Sequence, residues 1–327
     1  MYKSFYNLKR NPFEITPDPF FLFPTRRHNE ALAALYYGVR RHKGFVVMTG
    51  EVGTGKTLLV RCLLQLLNQS DVAYAYVFNS RLSPIEFLQY VAGDFGLPVT
   101  GKNKSELLLV LSNFVISRHQ KKLTTVLVVD EAHHVSTEVL EEIRLLTNLE
   151  TTSEKLLQIL LVGQPELDEK LDSVELRQLK QRIALRSQLQ PLDLEETRGY
   201  IQRRLQLAGA SPSNVLFPAD TIARVHRHTR GFPRLINTVC ENALITAYAR
   251  QSQSVTPDII EDIAADFRLG VVHQPKLEAA GGNEDGDARR AAKTLLLLHD
   301  YLQKLQSSHG EPRAAAATGV SKHEPYI

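Results

Sequence analysis

The sequence predicts an α/β domain, in which helices cover both faces of a parallel β-sheet, followed by a small domain built of helices alone. Two observations support this prediction. Between residues 45 and 190, apolar stretches typical of buried strands alternate with helix-forming stretches, and strands that are apolar on both faces are typical of parallel sheets covered by helices. From about Pro191 the strand pattern stops, and helical segments follow one another between Gly, Pro and Ser residues.

The composition is that of an ordinary globular protein. The chain has 327 residues, of which 43% are hydrophobic and 23% charged, enough for two domains with cores. Cys62 and Cys240 lie far apart in apolar stretches, which indicates buried thiols in a reducing compartment. No apolar leader opens the chain and no stretch reaches the roughly 18 apolar residues of a membrane helix. We therefore expect a cytoplasmic protein without an integral membrane segment.

The first predicted strand, Phe45 to Thr49, leads directly into GEVGTGKT, which fits the phosphate-binding pattern G-x-x-x-x-G-K-[ST]. An apolar, helix-favouring stretch follows, so the order is strand, loop and helix. In such a loop, glycines let backbone N–H groups converge on an anion, and the helix N-terminus adds a partial positive charge. We expect the phosphates of a nucleotide to bind to the loop residues Gly50, Glu51, Val52, Gly53, Thr54, Gly55, Lys56 and Thr57.

A second strand, Val72 to Phe78, and two helical stretches precede a third strand, VLVV, which ends in Asp130 and Glu131. An acid at a strand end beside a phosphate loop is placed to hold Mg²⁺. We expect Asp130 and the hydroxyl of Thr57 to bind magnesium, and Lys56 to reach the β and γ phosphates. Glu131 is placed to polarise the attacking water as general base.

Two more positions follow along the chain. Gln164 ends a fourth strand, where its side chain is either a contact to the γ-phosphate or the water, or part of a simple turn. The next helix supplies arginines before a fifth strand, and in a ring ATPase one of them reaches the γ-phosphate of the neighbouring subunit. Arg182 is the first candidate and Arg177 the second. We interpret His133, just after the third strand, as a residue at the start of the next helix.

The boundaries follow from these patterns. Residues 1–190 form the nucleotide-binding domain and residues 191–269 a helical lid of four segments. In the lid, Arg234 follows a Gly and a Pro that fix a turn, so its guanidinium can link nucleotide state to domain closure. Residues 270–327 are polar or low in complexity and form a disordered tail. Within the tail, residues 289–305 form either a partner-docking amphipathic helix or an incidental one.

The ordered motifs resemble those of AAA+ ATPases. More closely, NPFEITPDPFFLF, GFVVMTGEVGTGKT, VLVVDEAH, LLVGQPEL, LRQLKQRI and GFPRLIN resemble the ExeA/GspA ATPases of type II secretion and the related ATPases beside exosortase and polysaccharide loci. The resemblance implies a P-loop NTPase αβα sandwich with a small AAA+ lid. It assigns the phosphate loop to Lys56 and Thr57, Walker B to Asp130 and Glu131, and the sensor and finger roles to Gln164, Arg234 and Arg182. It also implies that residues 11–13 pack near the adenine.

The implied activity is Mg²⁺-dependent hydrolysis of ATP at a subunit interface in a nucleotide-dependent oligomer or ring. The work would be secretion or envelope assembly, with a membrane-complex protein holding the ATPase at the inner membrane. Such relatives usually continue into a transmembrane helix and a periplasmic peptidoglycan-binding domain, patterns that this sequence lacks, and Gln164 is less usual there than Asn, Ser or Thr.

Two other functions stay open. The first is a DNA-associated ATPase that regulates transposition, to which the basic residues of YIQRRL and ARVHRHTRG would contribute. A net charge of +3 neither demands nor excludes DNA as a partner. The second is an ATP-gated scaffold with little hydrolysis. Glu131 argues against the scaffold, because a pure switch does not need an acid that polarises water.

Overall fold

A computed structural model describes residues 1–67, 72–78, 81–152, 154–211 and 213–269. The predicted tail, 270–327, lies outside the described residues, and so does its helix. The boundary between residues 190 and 191 stays a prediction.

The described residues form a five-stranded parallel sheet with the strand order β2-β3-β4-β1-β5. β1, β3 and β4 are buried along their whole length, as their apolar sequences predict. Because all strands run the same way, their carboxyl ends lie at one edge of the sheet and their amino ends at the other. The strands are β1 (Phe45–Gly50), β2 (Ala73–Val77), β3 (Thr125–Val129), β4 (Leu157–Gly163) and β5 (Ile183–Leu189).

Helices cover both faces of this sheet, which confirms the predicted sandwich. Side chains alternate along β1: Phe45 and Val47 enter one apolar core, while Val46 and Met48 enter the other. α2 and α3 form the second layer, and α4 to α8 form the first. These helices are α2 (Arg26–Arg40), α3 (Lys56–Leu67), α4 (Pro84–Asp94), α5 (Lys104–Gln120), α6 (Thr137–Leu146), α7 (Glu166–Leu171) and α8 (Arg177–Lys180); a short α1 (Tyr2–Phe5) precedes them.

Four more helices form a bundle after β5, in the segments where the sequence predicts them. Their apolar faces share a separate core. Four residues from the start of the chain, Tyr2, Tyr6, Leu8 and Phe13, are buried in the same core, so the N-terminal segment packs against the bundle. The helices are α9 (Leu194–Leu207), α10 (Ala219–Thr229), α11 (Pro233–Ala249) and α12 (Pro257–Asp266).

Both cysteines are buried and free, as expected. Burial raises the pKa of the Cys62 thiol, and it raises that of Cys240 further. None of the helices in the described part of the chain is both long and apolar enough to cross a membrane.

Candidate functional site

The glycine-rich loop joins β1 to α3 at the carboxyl edge of the sheet. Gly53 and Gly55 both have left-handed backbone, with φ of 81° and 99°, which a glycine adopts without steric cost. A Cβ on Gly53 would also lie 2.8 Å from the Cβ of Arg234. The glycines therefore set the shape of the loop and let α11 approach it.

Lys56 begins α3 and folds back beneath the loop. Its Nζ donates hydrogen bonds to the carbonyl oxygens of Gly50 at 2.7 Å and Glu51 at 3.1 Å. The residue is buried, and this burial lowers the pKa of the ammonium group, while Glu131 and Asp130 act in the opposite direction. A cation beneath the glycines agrees with the predicted phosphate-binding role.

Asp130 follows β3 and is surrounded by donors. Its Oδ2 accepts hydrogen bonds from Thr57 Oγ1 at 3.2 Å and from the Tyr76 hydroxyl at 2.6 Å. Its Oδ1 accepts from the backbone N–H of Glu131 at 2.9 Å. The structure thus brings together the two predicted magnesium ligands, Thr57 and Asp130, as a pair of oxygen donors of the kind that Mg²⁺ prefers.

The sequence analysis did not identify Tyr76, which contacts Asp130. It lies on β2, the strand beside β3, and its hydroxyl is held by Asp130. Burial is the main reason that the pKa of this phenol is raised, and the Asp130 charge adds to the effect. Tyr76 therefore stays a neutral donor that orients the Asp130 carboxylate.

Glu131 lies at the mouth of the site. Its backbone is left-handed, with φ of 51°, and its side chain is 46% exposed. Such a conformation is uncommon for a residue other than glycine and is typical of functional sites. The carboxylate is thereby placed beside the loop, with Oε2 buried and without a hydrogen-bond partner among the described residues.

His133 lies between Glu131 and Gln164. Its Nδ1 is 3.4 Å from Glu131 Oε2, and its Nε2 is 2.9 Å from Gln164 Nε2. Desolvation is the main cause of a lowered pKa for His133, so the ring is neutral and can donate at one nitrogen while accepting at the other. His133 Nδ1 also accepts a hydrogen bond from the Gln164 backbone N–H at 3.4 Å. The imidazole is therefore held at the end of β4 and lies beside the predicted base, whose Oε2 has no hydrogen-bond partner among the described residues.

The interpretation of His133 as a residue that starts the next helix was wrong. It belongs to a short 3-10 turn, Ala132–His134, and α6 begins only at Thr137, where Ser136 is the N-cap. The signal that would have revealed its role is the proximity of the β3 and β4 ends, which parallel pairing dictates. Gln164, at the end of β4, is held by this histidine.

A second histidine, His28, supports the loop from α2. Thr25 Oγ1 lies 2.7 Å from His28 Nδ1, and His28 Nε2 lies 3.1 Å from the carbonyl oxygen of Thr54. Burial lowers the pKa of His28, and a neutral ring with its proton on Nε2 donates to that carbonyl. The sequence signal was faint, because it consists only of Thr25 as the cap of α2.

Arg234 comes from the helical bundle. Its backbone N–H donates to the Gly53 carbonyl at 3.2 Å, so the start of α11 contacts the phosphate loop directly. The turn before it needs Gly231, because a Cβ there would lie 1.8 Å from the Leu192 carbonyl oxygen. The predicted position of Arg234 beside the phosphate loop agrees with this contact.

These elements surround a cleft of about 350 Å³. The loop and Glu131 line one side, and residues of α9 and α11, including Tyr200 and Asn237, line another. Residues 14–18 and Phe21 of the N-terminal segment also line it. The expected adenine neighbours, residues 11–13, lie just before this wall, and Phe13 is fully buried in the bundle core.

Arg204, which the sequence analysis did not identify as a site residue, is buried and lines the cleft. Its Nε donates to the Pro12 carbonyl at 2.6 Å and its Nη1 to Asn237 Oδ1 at 3.0 Å. The guanidinium also lies over Phe21, 4.7 Å from the ring centroid. Arg204 therefore links the N-terminal segment to α9 and α11.

The two finger candidates lie away from this cleft, just before β5. Ile183 pairs with Phe45 at the start of β1, so Arg182 lies at the amino edge of the sheet. Its Nη1 donates to Asn148 Oδ1 at 2.7 Å and to the hydroxyl of Thr147, and among the described residues its hydrogen bonds use this nitrogen alone. Arg177, on α8, is exposed.

Comparison with known proteins finds similar sequences. Residues 39–171 match the family model described as AAA domain. The chain is 43% identical over 256 residues to General secretion pathway protein A of Aeromonas hydrophila. That alignment covers 78% of this chain and 46% of the relative, so the chain spans about half the length of that protein.

The fold is similar to that of two solved structures. The Aeropyrum pernix ORC2 protein, in ADPNP–ADP complexes, matches with a TM-score of 0.60 at 19% identity, over 79% of this chain and 72% of that one. The Aeropyrum pernix ORC1 protein in complex with DNA matches with a TM-score of 0.59 at 20% identity, over 79% of this chain and 69% of that one. At this level of identity, the likeness concerns the fold.

Proposed function

The chain belongs to the AAA+ ATPases and is similar to general secretion pathway protein A, and from this premise we propose that it binds ATP with Mg²⁺ in the cleft and hydrolyses it where two subunits meet. The observation that carries the proposal is that the predicted site residues lie together in the structure. The phosphate loop, Asp130 with Thr57, Glu131 and Arg234 come from separate parts of the chain, and all of them meet around one cleft.

In this proposal the chain's own groups divide the work. The loop N–H groups and Lys56 bind the β and γ phosphates, and Asp130 and Thr57 hold Mg²⁺, which neutralises charge on the phosphate oxygens. Glu131 takes the proton of the attacking water. His133 holds Gln164 and packs beside Glu131. Arg234 couples the phosphates to the helical bundle, so that bound ATP favours a closed cleft.

Arg182 completes the site of the neighbouring subunit in an oligomer or ring. It lies at the amino edge of the sheet, away from its own subunit's loop, and its hydrogen bonds to the described residues use only one of its three guanidinium nitrogens. An arginine finger supplied in this way stabilises the charge that develops during phosphoryl transfer. Arg177 is the alternative, because it is exposed on the helix just before.

The cellular work that we propose is to power or regulate secretion or envelope assembly from the cytoplasm, through a membrane-complex partner. It rests on the sequence similarity to general secretion pathway protein A. The DNA-associated alternative loses part of its basis in the structure. Of the basic residues that suggested it, Arg204 is buried in the cleft, and Arg224 and His228 both pair with Glu261.

The test is ATP turnover with and without double-stranded DNA, together with oligomeric mass in ATP, for the wild type and Glu131→Gln. We expect turnover that is indifferent to DNA, and a fall of about 10²- to 10⁴-fold in Glu131→Gln. ATP binding should persist in this variant and trap the assembled form. Loss of ATP binding in Glu131→Gln would contradict the role of general base, and strong stimulation by DNA would favour the transposition-type function.

A further inference from the structure

A second group of ionisable side chains lies at the edge of the sheet opposite the phosphate loop. His42 lies in the turn before β1, His119 lies near the end of α5 before β3, and Glu154 precedes β4. The strands β3, β4 and β1 are neighbours in the sheet. The parallel topology therefore brings together three side chains that are far apart in sequence.

These three side chains are close enough to share one ion. Within the part of the chain that the structure describes, their candidate ligand atoms all lie within 4.8 Å of one another. His42 Nδ1 is 3.5 Å from Glu154 Oε2. Two ligands of a tetrahedral zinc ion, with bonds of about 2.1 Å, lie about 3.4 Å apart, so His42 and Glu154 are already near that spacing. The distances that involve His119 must close by at most about 1.4 Å, which a small change of its side-chain torsions covers.

His42 supplies the second observation. Its Nδ1 is buried and has no hydrogen-bond partner within the described residues. Buried polar atoms normally have a partner, and each exception calls for an explanation, such as an ion. The carboxylate that this nitrogen faces is too distant for a good hydrogen bond, but a cation between them would bind both groups.

The backbone around the group is held in place. The buried side chain of Gln158 accepts a hydrogen bond from the Gly44 N–H at 2.8 Å and donates one to the Lys155 carbonyl at 2.8 Å. It thereby ties the turn that carries His42 to the turn that carries Glu154. The carbonyl of His119 accepts from the Lys122 N–H at 2.8 Å. Ligands on fixed turns lose little freedom when they bind a metal.

We propose that His42, His119 and Glu154 form a zinc site that joins two turns and the end of α5 at the amino edge of the sheet. Two imidazoles and one carboxylate suit Zn²⁺, whereas Mg²⁺ and Ca²⁺ prefer oxygen ligands alone. With three protein ligands, water fills the fourth position of a tetrahedral ion. The site is separate from the nucleotide cleft, and its role is to stabilise the fold.

The test is zinc binding to untagged, chelator-treated protein, measured by titration calorimetry and by the visible spectrum of a Co²⁺ substitute in excess MgCl₂. We expect one ion per chain and a tetrahedral Co²⁺ spectrum. Affinity should fall at least about tenfold in His42→Ala and in His119→Ala, and should weaken in Glu154→Gln. Saturating zinc should raise the Tm of the wild type by about 5–10 °C and leave the Tm of His42→Ala unchanged.

The matched control is His228→Ala. His228 also faces a carboxylate, that of Glu261 at 2.9 Å, but within the described residues this pair is not part of a three-ligand group. Zinc binding should therefore be unchanged in His228→Ala. The proposal is overturned if the wild type binds no stoichiometric zinc, if His42→Ala binds it as well as the wild type, or if His228→Ala loses it. Circular dichroism without metal checks that each variant is folded.

Discussion

The two edges of the parallel sheet carry ionisable groups in different ways. At the carboxyl edge, Lys56 and Asp130 are hydrogen-bonded to nearby acceptors and donors of the same chain. At the amino edge, His42 Nδ1 is buried and has no hydrogen-bond partner among the described residues, and the Arg182 guanidinium makes all its described contacts through Nη1. The phosphate and magnesium groups of the carboxyl edge are therefore preorganised within one chain, whereas these groups of the amino edge are still able to bind something else.

This contrast explains how an oligomer would complete the active site. In the proposed assembly, Arg182 at the amino edge of one subunit serves the carboxyl edge of the next. Arg182 contacts the C-terminal end of α6 through one guanidinium nitrogen, so it can keep these contacts while the other nitrogens donate to a phosphate. The largest predicted effect therefore concerns Arg182.

Arg182→Ala should lower ATP turnover of the assembled protein by about 10³- to 10⁵-fold, because an arginine finger contributes on that scale. ATP binding to the monomer should persist. Steady-state turnover and nucleotide binding by calorimetry measure the two quantities. Arg177→Ala is the matched control and should retain most of the activity.

A mixing experiment separates a finger from a merely structural arginine. Lys56→Ala lacks a functional phosphate loop but has Arg182. Arg182→Ala has a functional phosphate loop but lacks the finger. Mixed oligomers contain interfaces with both groups intact, so turnover should rise well above that of either variant alone. If mixing restores nothing, or if Arg177→Ala is inactive while Arg182→Ala is active, the assignment of the finger is wrong.

The two edges of the sheet also differ in how much of them could be predicted from the sequence. The strand-loop-helix pattern and the two acids after VLVV are contiguous, so they predicted the fold and the residues of the carboxyl edge. Tyr76, His28 and Arg204 were missed because their roles depend on which elements pack together. The group at the amino edge has no sequence motif, because His42, His119 and Glu154 come from three separate segments, two turns and the end of α5.

The N-terminal segment shows the same limit in the fold. Tyr2, Tyr6 and Phe13 join the core of a bundle whose helices begin at Leu194. Nothing local in their sequence indicates a partner so distant along the chain. Only the packed structure places residues 14–18 beside the phosphate loop, in the wall of the cleft.

The next prediction, of intermediate size, is a loss of kcat that tests the preorganisation of the carboxyl edge. His133→Ala should lower kcat about tenfold, a barrier increase of about 1.4 kcal/mol, with little change in KM, because Gln164 loses its partner and Glu131 loses the ring beside it. His134→Ala is the matched control: its exposed ring contacts His133 at 3.8 Å between centroids, so the control removes this ring contact but keeps the His133 hydrogen bonds to Gln164. In the double variant with Gln164→Ala, the two losses should not add. Additive losses would mean that His133 acts independently of Gln164.

The smallest effect concerns the support of the loop by His28. Because burial lowers the pKa of His28 in the folded state, its stabilising contribution is complete above the unfolded pKa of about 6.5 and is lost as pH falls below it. Between pH 7.5 and 5.5 this loss is at most about 1.4 kcal/mol, since only the unfolded chain takes up the proton readily. His28→Gln keeps a donor for the Thr54 carbonyl but does not titrate.

Urea unfolding at the two pH values measures this loss as a difference between the proteins. The free energy of unfolding should fall more with acidification in the wild type than in His28→Gln, and the contributions of the other histidines cancel because both proteins share them. An equal fall in both proteins would mean that His28 takes up its proton as easily in the folded state. The neutral ring would then not be what holds the Thr54 carbonyl, and the preorganisation of the carboxyl edge would rest on the glycines and Lys56.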